Sequence, residues 1–281
     1  MFRLAVCHSH EGVITKSIVS RSNQLNNLYK SVKSASSACQ KMTNIYNEII
    51  QSKVENQKLM AILLDPDKLI LDNLDHLVSK ISQSPASHIF IGGSLVENVN
   101  IDDLISKIKQ NCSLPIVLFP GNPSQISDKA DAILFLSLIS GRNPDYLIEH
   151  QVNAVPLLKQ TDLEIISTGY ILIESGTETA VERVSKTKPL DRNNLDLVLE
   201  TAQAGEMLGN KLIYLEAGSG AKHAVPLDMI KKVAQNIEIP LLVGGGIVDL
   251  QGIQDAYHAG ADLVIIGTAF EKNTNFFNDR H

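Results

Sequence analysis

Residues 212–220 read LIYLEAGSG, residues 241–246 read LLVGGG and residues 263–268 read LVIIGT. In each stretch a short apolar run passes directly into a turn of small residues. Runs of this length are typical of buried strands, and the segments between them have the amphipathic pattern of helices. Strands that alternate with helices in this way indicate a parallel sheet that is covered by helices.

The same pattern extends toward the amino terminus and gives eight apolar runs. The runs are Leu59–Leu64, His88–Ile91, Ile116–Phe119, Ala132–Leu136, Ile165–Ile173, Leu212–Leu215, Leu241–Val243 and Leu263–Ile266. Eight such units over about 225 residues predict an α/β fold, a modified (β/α)8 TIM barrel. The alternative is a doubly wound open sheet, but no glycine motif here completes its G-x-G-x-x-G dinucleotide fingerprint.

Two intervals depart from a regular barrel. The third and fourth runs start only 16 residues apart, so we expect the third helix to be missing or rudimentary. The fifth and sixth runs start 47 residues apart, which predicts a long loop at 174–193 and then a helix at 194–208. Gly209 follows that helix at the position where glycine is favoured.

The composition, with 44% hydrophobic and 20% charged residues, is that of a globular protein. A net charge of −6 without a long Lys/Arg run argues against a nucleic-acid surface. No apolar run approaches the roughly 18 residues of a membrane span. The three cysteines lack metal or disulfide spacing, so we expect a reducing, cytoplasmic setting.

Residues 1–41 differ from the rest of the chain in charge. They carry six basic residues and one acidic residue, so the other 240 residues hold 19 basic and 30 acidic residues, a net charge of −11. We expect this Ser-rich leader to lie outside a single catalytic domain at 42–281, which begins with a helix capped by Thr43. The alternative is an organelle-targeting segment, which has a similar composition.

Three small turns follow the last three predicted strands. In a barrel, function gathers at the carboxyl ends of the strands, and the last two loops commonly bind a phosphate. Glycine lets backbone N–H groups approach an anion with no Cβ in the way. We therefore predict a phosphate site there, and the alternative is that the glycines only make tight turns.

Asp65 and Ser94 follow the first two predicted strands. Alternation places Asp65 on the same face as Leu59, Ala61 and Leu63, which we expect to be the inside of the barrel. A carboxylate there is costly unless it is paired or bound to a cation, and Mg²⁺ takes carboxylates together with water and phosphate oxygens. We therefore predict Mg²⁺ at Asp65, with Ser94 as a second ligand; the alternative is that both residues cap helices.

Tyr214 and Glu216 share the inner face of the sixth predicted strand. We predict that Glu216 accepts a proton from a substrate hydroxyl and that Tyr214 donates to a phosphate oxygen or lines the pocket. The alternative is a carboxylate held by a neighbouring Lys or Arg in a structural pair. The histidines form neither a zinc site nor a Ser-His-Asp arrangement.

Five motifs, in this order, resemble the geranylgeranylglyceryl phosphate synthase family, which includes the bacterial PcrB-type heptaprenylglyceryl phosphate synthases. The motifs are LLDPDK at 63–68, GGS at 92–94, YLEAGSG at 214–220, GGGI at 244–247 and GTA at 267–269. The resemblance spans residues 42–273, implies a barrel without a regular third helix, and leaves residues 1–41 unexplained.

The resemblance also implies a reaction, the transfer of a prenyl chain, here expected to be geranylgeranyl, from its diphosphate to the sn-3 hydroxyl of sn-glycerol 1-phosphate. It implies Mg²⁺ at Asp65 and Ser94 and a homodimer or homohexamer. Some archaeal members carry a basic residue where this chain has Leu63, so no side-chain phosphate contact is expected there. Carried over by position, glycerol 1-phosphate would be bound by Tyr214, Leu215, Glu216, Ala217, Gly218, Ser219, Gly220, Gly245, Gly246, Gly267 and Thr268.

A prenyl tail needs an apolar groove, which we expect along the second to fifth strands at Ile91, Leu118, Phe119, Leu136, Leu138 and Tyr170. We also expect a transient membrane contact for release of the product. The rival enzyme class is a sugar-phosphate isomerase or lyase on the same fold, although no predicted strand ends in the lysine that Schiff-base chemistry would need. A non-enzymatic phosphate sensor would give Asp65 and Glu216 no task.

Overall fold

Eight parallel strands close into a barrel in the order in which they occur in the chain. They are β1 (Leu59–Leu64), β2 (His88–Ile91), β3 (Ile116–Leu118), β4 (Ala132–Leu138), β5 (Glu164–Leu172), β6 (Leu212–Glu216), β7 (Leu241–Gly244) and β8 (Leu263–Ile266). The barrel closes where β8 pairs with β1 and places Leu263 opposite Leu59. The predicted barrel is therefore confirmed, and a doubly wound sheet is excluded because an open sheet has two edge strands.

These coordinates are a computed structural model, which describes residues 44–69, 73–93 and 99–277. The leader at 1–41, the helix cap predicted at Thr43 and the metal ligand predicted at Ser94 lie outside the described residues. The described residues from 45 onward belong to one structural unit.

Most of the helices cover the outside of the barrel between strands. The helices of the described residues are α1 (Ile45–Val54), α2 (Leu74–Ser82), α3 (Ile101–Asn111), α4 (His150–Leu158), α5 (Ala180–Ser185), α6 (Leu195–Met207), α7 (Leu227–Ala234), α8 (Leu250–Ala259) and α9 (Thr268–Lys272). Between β3 and β4 the chain forms only a 3-10 turn at Pro123–Gln125, so the rudimentary third helix is confirmed. Within the described ranges, no helix has the length and apolarity needed to cross a bilayer.

The long connection between β5 and β6 contains one helix that we predicted and one that we did not. Helix α6 begins after its cap Asn194, and Gly209 follows it with a φ of 90°, as expected. Helix α5 lies inside the segment that we predicted as a loop. It begins at a capping box in which Thr179 and Glu182 satisfy each other's backbone N–H groups, and this T-x-x-E pattern could have revealed it.

The apolar core has two layers, as the alternation in β1 predicts. Leu59 and Ala61 pack inside the barrel, whereas Met60, Ile62 and Leu64 pack outward beneath the helices. Because side chains alternate along every strand, residues two apart at a strand's carboxyl end both reach the barrel mouth.

Helix α1 lies at the amino-terminal end of the barrel. Its residues Ile45 and Ile49 pack with strand-start residues such as Leu59 in the inner layer. The N–H groups of Ile45 and Tyr46 donate to the carboxylate of Glu164 at 2.6 and 3.1 Å, so a side chain distant in sequence caps this helix. The glycine turns are at the opposite, carboxyl-terminal end.

Candidate active site

The turns after β6, β7 and β8 lie side by side, because these three strands are neighbours in the barrel. Ser219 and Gly220 are exposed, and Gly245, Gly267 and Thr268 are half-buried, so a ligand can reach the turns from solvent. The backbone has positive φ angles between 70° and 95° at Gly218, Gly220, Gly245 and Gly246. We call these three turns the glycine cradle.

Gly245 shows why side chains are absent from the cradle. A Cβ at Gly245 would lie 2.6 Å from the backbone nitrogen of Gly218 and would also meet the carboxylate of Glu216. Across the part of the chain that the structure describes, the N–H groups of Gly245 and Gly246 donate to no protein acceptor. Adjacent N–H groups of this kind in a turn form a concave site for an anion.

Two of the residues expected to bind glycerol 1-phosphate point away from the cradle. Leu215 and Ala217 pack in the outer core layer beneath the helices. The N–H of Ala217 is also engaged, because it donates to the carbonyl of Gly244 at 3.0 Å. The side chains of Leu215 and Ala217 therefore position the turn after β6 rather than contact a ligand in the cradle.

Tyr214 and Glu216 form a buried pair beside the cradle. The hydroxyl of Tyr214 donates to Oε2 of Glu216, and the N–H of Gly218 donates to Oε1 at 2.6 Å. Burial raises the pKa of Glu216, although these two hydrogen bonds act in the opposite direction. Burial and the nearby Glu216 raise the pKa of Tyr214 well above its ordinary value, so Tyr214 stays a donor. No Lys or Arg within the described ranges pairs with Glu216, which argues against the structural ion pair.

Three aromatic rings stand together inside the barrel mouth. Tyr214 lies 5.6 Å from Phe119 and 5.4 Å from Tyr170, measured between ring centroids, and Phe119 lies 6.0 Å from Tyr170. Because Phe119 and Tyr170 also line an apolar groove, the rings connect that groove to the Tyr214–Glu216 pair.

The groove runs beside β3, β4 and β5 and encloses about 800 Å³ of space open to solvent. Phe119, Leu136, Leu138 and Tyr170 line it, as expected, together with Pro120, Ile126, Phe135, Tyr146, Ala154, Val181 and Val184. The prediction was wrong for Ile91 and Leu118. These two side chains pack in the outer layer, because alternation along β2 and β3 turns them toward the helices.

Asp65 both caps a helical turn and forms an ion pair. Its Oδ1 accepts the N–H of Asp67 at 3.3 Å, at the start of the 3-10 turn Pro66–Lys68. Its Oδ2 lies 2.7 Å from Nζ of Lys68. A Cβ at Gly93 would lie 2.8 Å from the Asp65 carboxylate, so Asp65 lies beside a residue that lines the groove.

The surroundings of Asp65 fit a cation. The ammonium of Lys68 forms an ion pair with one carboxylate oxygen, which shows that the Asp65 side chain is placed to bind a positive group. Mg²⁺ commonly binds one or two carboxylates and completes its shell with water and phosphate oxygens. Asp65 is the one predicted ligand that can be placed, because Ser94 is outside the described residues. Among the residues described, no three His, Cys, Asp or Glu side chains converge to form a protein-only metal cage.

Lys68 and Glu271 belong to this site although we did not predict them. Nζ of Lys68 also donates to Oγ of Ser219 at 3.2 Å, and Ser219 lies 3.3 Å from Oγ1 of Thr268. The carboxylate of Glu271, whose pKa is raised by burial, accepts the N–H of Asp65 at 3.2 Å. Lys68 stands in the LLDPDK motif, three residues after Asp65, which is the only sequence signal for its role.

The chain matches proteins of one family over most of its length. Residues 50–280 match the model of the PcrB family. A geranylgeranylglyceryl phosphate synthase from Flavobacterium johnsoniae is 69% identical over 237 residues, which cover 84% of this chain and 98% of that protein. The enzyme of the same name from Zunongwangia profunda is 49% identical over 230 residues, covering 82% of this chain and 98% of that protein.

A solved structure agrees with these matches. It is the crystal structure of (S)-3-O-geranylgeranylglyceryl phosphate synthase from Thermoplasma acidophilum in complex with its substrate sn-glycerol-1-phosphate. That protein is 30% identical to this chain with a TM-score of 0.78, and the match covers 84% of this chain and 95% of the other. The sequence matches and the barrel agree, and this chain belongs to the PcrB family of geranylgeranylglyceryl phosphate synthases.

Proposed function

We propose that this protein is a prenyltransferase that joins a geranylgeranyl group to the sn-3 hydroxyl of sn-glycerol 1-phosphate. The observation that carries the proposal is that three sites adjoin. Gly93 lines the apolar groove and lies beside the carboxylate of Asp65, and Lys68 connects Asp65 to Ser219 in the glycine cradle. A prenyl tail, its diphosphate and a glycerol phosphate need such sites in this order. A sugar-phosphate isomerase would have no use for the groove.

The glycine cradle is our proposed site for the phosphate of glycerol 1-phosphate. The N–H groups of Gly245 and Gly246, which donate to no acceptor among the described residues, and the hydroxyls of Ser219 and Thr268 are suitable donors for its oxygens. Fixing the phosphate there would hold the glycerol hydroxyls over Glu216. Orienting a nucleophile in this way removes much of the entropic cost of the reaction.

Asp65, with Ser94, is our proposed site for Mg²⁺. When bound, this ion would neutralise charge that builds on the departing diphosphate. Because Asp65 lies beside Gly93, which lines the groove, a diphosphate held there would lie next to the groove. The half-buried ring of Phe119 and the buried ring of Tyr170 would then face the allylic carbon, and their negative π-faces favour a developing cation.

The protein's chemical task in this mechanism is to move one proton. The glycerol hydroxyl oxygen forms a bond to the allylic carbon, the bond from that carbon to the diphosphate oxygen breaks, and the diphosphate leaves with the bonding electrons. Glu216 takes the hydroxyl proton, and its burial, which raises its pKa, makes it a better acceptor than an exposed carboxylate. Tyr214 holds the carboxylate in place through its hydrogen bond.

We also propose a homo-oligomer, a dimer or a hexamer, that works in the cytoplasm and touches a membrane transiently to release its lipid product. Exposed apolar side chains at Ile148, Val152 and Val155 follow helical spacing beside the groove and provide surface for either contact. Light scattering at increasing concentration and flotation with vesicles would test the two contacts separately.

An Asp65→Asn variant tests the proposed function. The full chain is incubated with labelled glycerol 1-phosphate, MgCl₂ and prenyl diphosphates of increasing length, and ether product is measured. We expect the wild type to form prenylglyceryl phosphate and the variant, with unchanged circular dichroism, to lose nearly all activity. Full activity of the variant would remove the metal role of Asp65. Absence of ether product from the wild type with every diphosphate would refute the function.

A further inference from the structure

Lys68 lies between two sites that both take anions. Its ammonium is 2.7 Å from Oδ2 of Asp65 and 3.2 Å from Oγ of Ser219. Asp65 is the proposed cation ligand, whereas Ser219 belongs to the glycine cradle and adjoins Thr268. The side chain of Lys68 is half exposed, so it is free to move toward either partner.

A cation bound at Asp65 changes what Lys68 can do. A cation at the Asp65 carboxylate would compete with Lys68, because two positive groups beside one carboxylate repel each other. Nζ of the lysine also contacts Ser219. The turn that holds Ser219 adjoins the N–H groups of Gly245 and Gly246, which donate to no acceptor among the described residues and can bind an anion. An ammonium suits this position, because it is a compact point charge with three donors on a flexible stem.

We infer that Lys68 binds the phosphate of glycerol 1-phosphate and that Asp65 competes with this phosphate for the lysine, a competition that a metal–diphosphate at Asp65 would relieve. The inference rests on the proposed function. The cradle contributes neutral donors, so Lys68 would supply the positive charge that the phosphate needs. Leu63, which projects inward from β1, supplies none. Lys68 would thus make the binding of one substrate favour the binding of the other.

Calorimetric titration of the full chain with sn-glycerol 1-phosphate, without prenyl diphosphate, tests this inference. The titrations are made with and without MgCl₂ on the wild type, Lys68→Met, Lys68→Arg and the matched control Lys107→Met, an exposed lysine on α3. We expect Lys68→Met to weaken binding about 10- to 100-fold, the range of a charge-assisted hydrogen bond. Lys68→Arg should restore most of the loss, and Lys107→Met should match the wild type.

A double-mutant cycle separates phosphate binding from a merely structural ion pair. Without metal, Asp65→Asn frees Lys68 and should tighten glycerol phosphate binding about twofold to fivefold, the size of a half-exposed ion pair. In the Lys68→Met background the same change should have no effect. The ³¹P resonance of the bound ligand should shift between wild type and Lys68→Met, because the lysine contacts the phosphate itself.

The outcomes distinguish this inference from the proposed function. Wild-type affinity in Lys68→Met, or an equal effect of Asp65→Asn in both backgrounds, would overturn the assignment of Lys68. If ether product still forms, the prenyltransferase stands. If the wild type neither binds glycerol 1-phosphate with or without MgCl₂ nor forms ether, both proposals fail.

Discussion

Glu216 is nearly inaccessible, with 5% of its surface exposed, yet it lies beside turns that solvent reaches. Burial raises its pKa because the charged carboxylate loses hydration, while Tyr214 and Gly218 keep that carboxylate oriented by hydrogen bonds. A group with a raised pKa must still be ionised to act as a base. We therefore expect turnover to fall as the pH decreases through the raised pKa of Glu216.

The variant Glu216→Gln should lose turnover about 10²- to 10⁴-fold, the usual contribution of a general base. Binding of glycerol 1-phosphate should change little, because the glutamine keeps the shape of the side chain and the phosphate rests on the glycine cradle. Single-turnover rates and calorimetric affinities measure the two effects, with the exposed Glu200→Gln on α6 as the control. Equal losses of rate and affinity would make Glu216 a binding group.

His88 is a buried histidine with no role in the proposed chemistry. The hydroxyl of Ser87 donates to the carbonyl of Met60 at 2.8 Å, so Nδ1 of His88, 2.8 Å away, is the donor to that oxygen. Its Nε2 is buried without a partner in the described structure. Burial lowers the pKa of His88 to about 4, because protonation would place a charge in the core.

The neutral His88 makes the fold sensitive to acid. The unfolded chain binds a proton near pH 6.5 and the folded chain only near pH 4, so stability is complete above pH 6.5 and is lost as the pH falls toward 4. At pH 4.5 the loss should reach about 2–3 kcal/mol. Urea unfolding between pH 7 and 4.5 should show a smaller pH effect in His88→Gln than in the wild type. An unchanged effect would contradict this, and the exposed His258→Gln is the control.

Three neighbouring turns build the cradle, and the close approach of two of them explains its composition. Gly245 has a φ of 78° and leaves no room for a Cβ beside Gly218. Gly209, after helix α6, has a φ of 90° but open space around its missing Cβ. Replacing Gly209 by alanine should therefore cost only the strain of the backbone conformation. Replacing Gly245 should cost this strain and, in addition, the steric overlap between two turns.

Gly209→Ala should lower the free energy of unfolding by about 1–2 kcal/mol, the cost of a left-handed conformation. Gly245→Ala should lower the free energy of unfolding by about 1–3 kcal/mol more than Gly209→Ala, because the methyl group overpacks the turn. It should also reduce turnover, because the methyl group displaces Glu216. Urea denaturation and steady-state rates check both variants. Equal stability and equal activity of the two alanine variants would show that the turns at Gly218 and Gly245 are not in tight steric contact.

The whole chain combines a basic leader with an acidic barrel. The family match begins at residue 50, and the described barrel begins with α1, whose first N–H groups are capped by Glu164. We therefore propose that residues 1–41 are dispensable for catalysis. A chain that starts at Met42 should keep the thermal midpoint and the kcat/KM of the full chain, measured by circular dichroism and ether formation. A large loss of either quantity would assign the leader a part in the barrel or its site.

The order of the eight strands, the short third unit and the inward faces of β1 and β6 could be predicted from the sequence. These features depend on apolar periodicity and on neighbouring residues, which a linear pattern contains. The glycine turns could also be predicted from the sequence, because each turn directly follows its strand. The exception is local as well, because a capping box starts α5 inside the segment that the strand spacing predicts to be a loop.

Only the tertiary structure decided which distant residues meet. The side chain of Lys68 contacts Ser219, 151 residues away in sequence, and the backbone N–H of Asp65 donates to the carboxylate of Glu271, 206 residues away. The cap of α1 by Glu164 likewise depends on the closed barrel. Such contacts carry no signal in either partner's local sequence, because closing the sheet, rather than any propensity, brings the first strand beside the last.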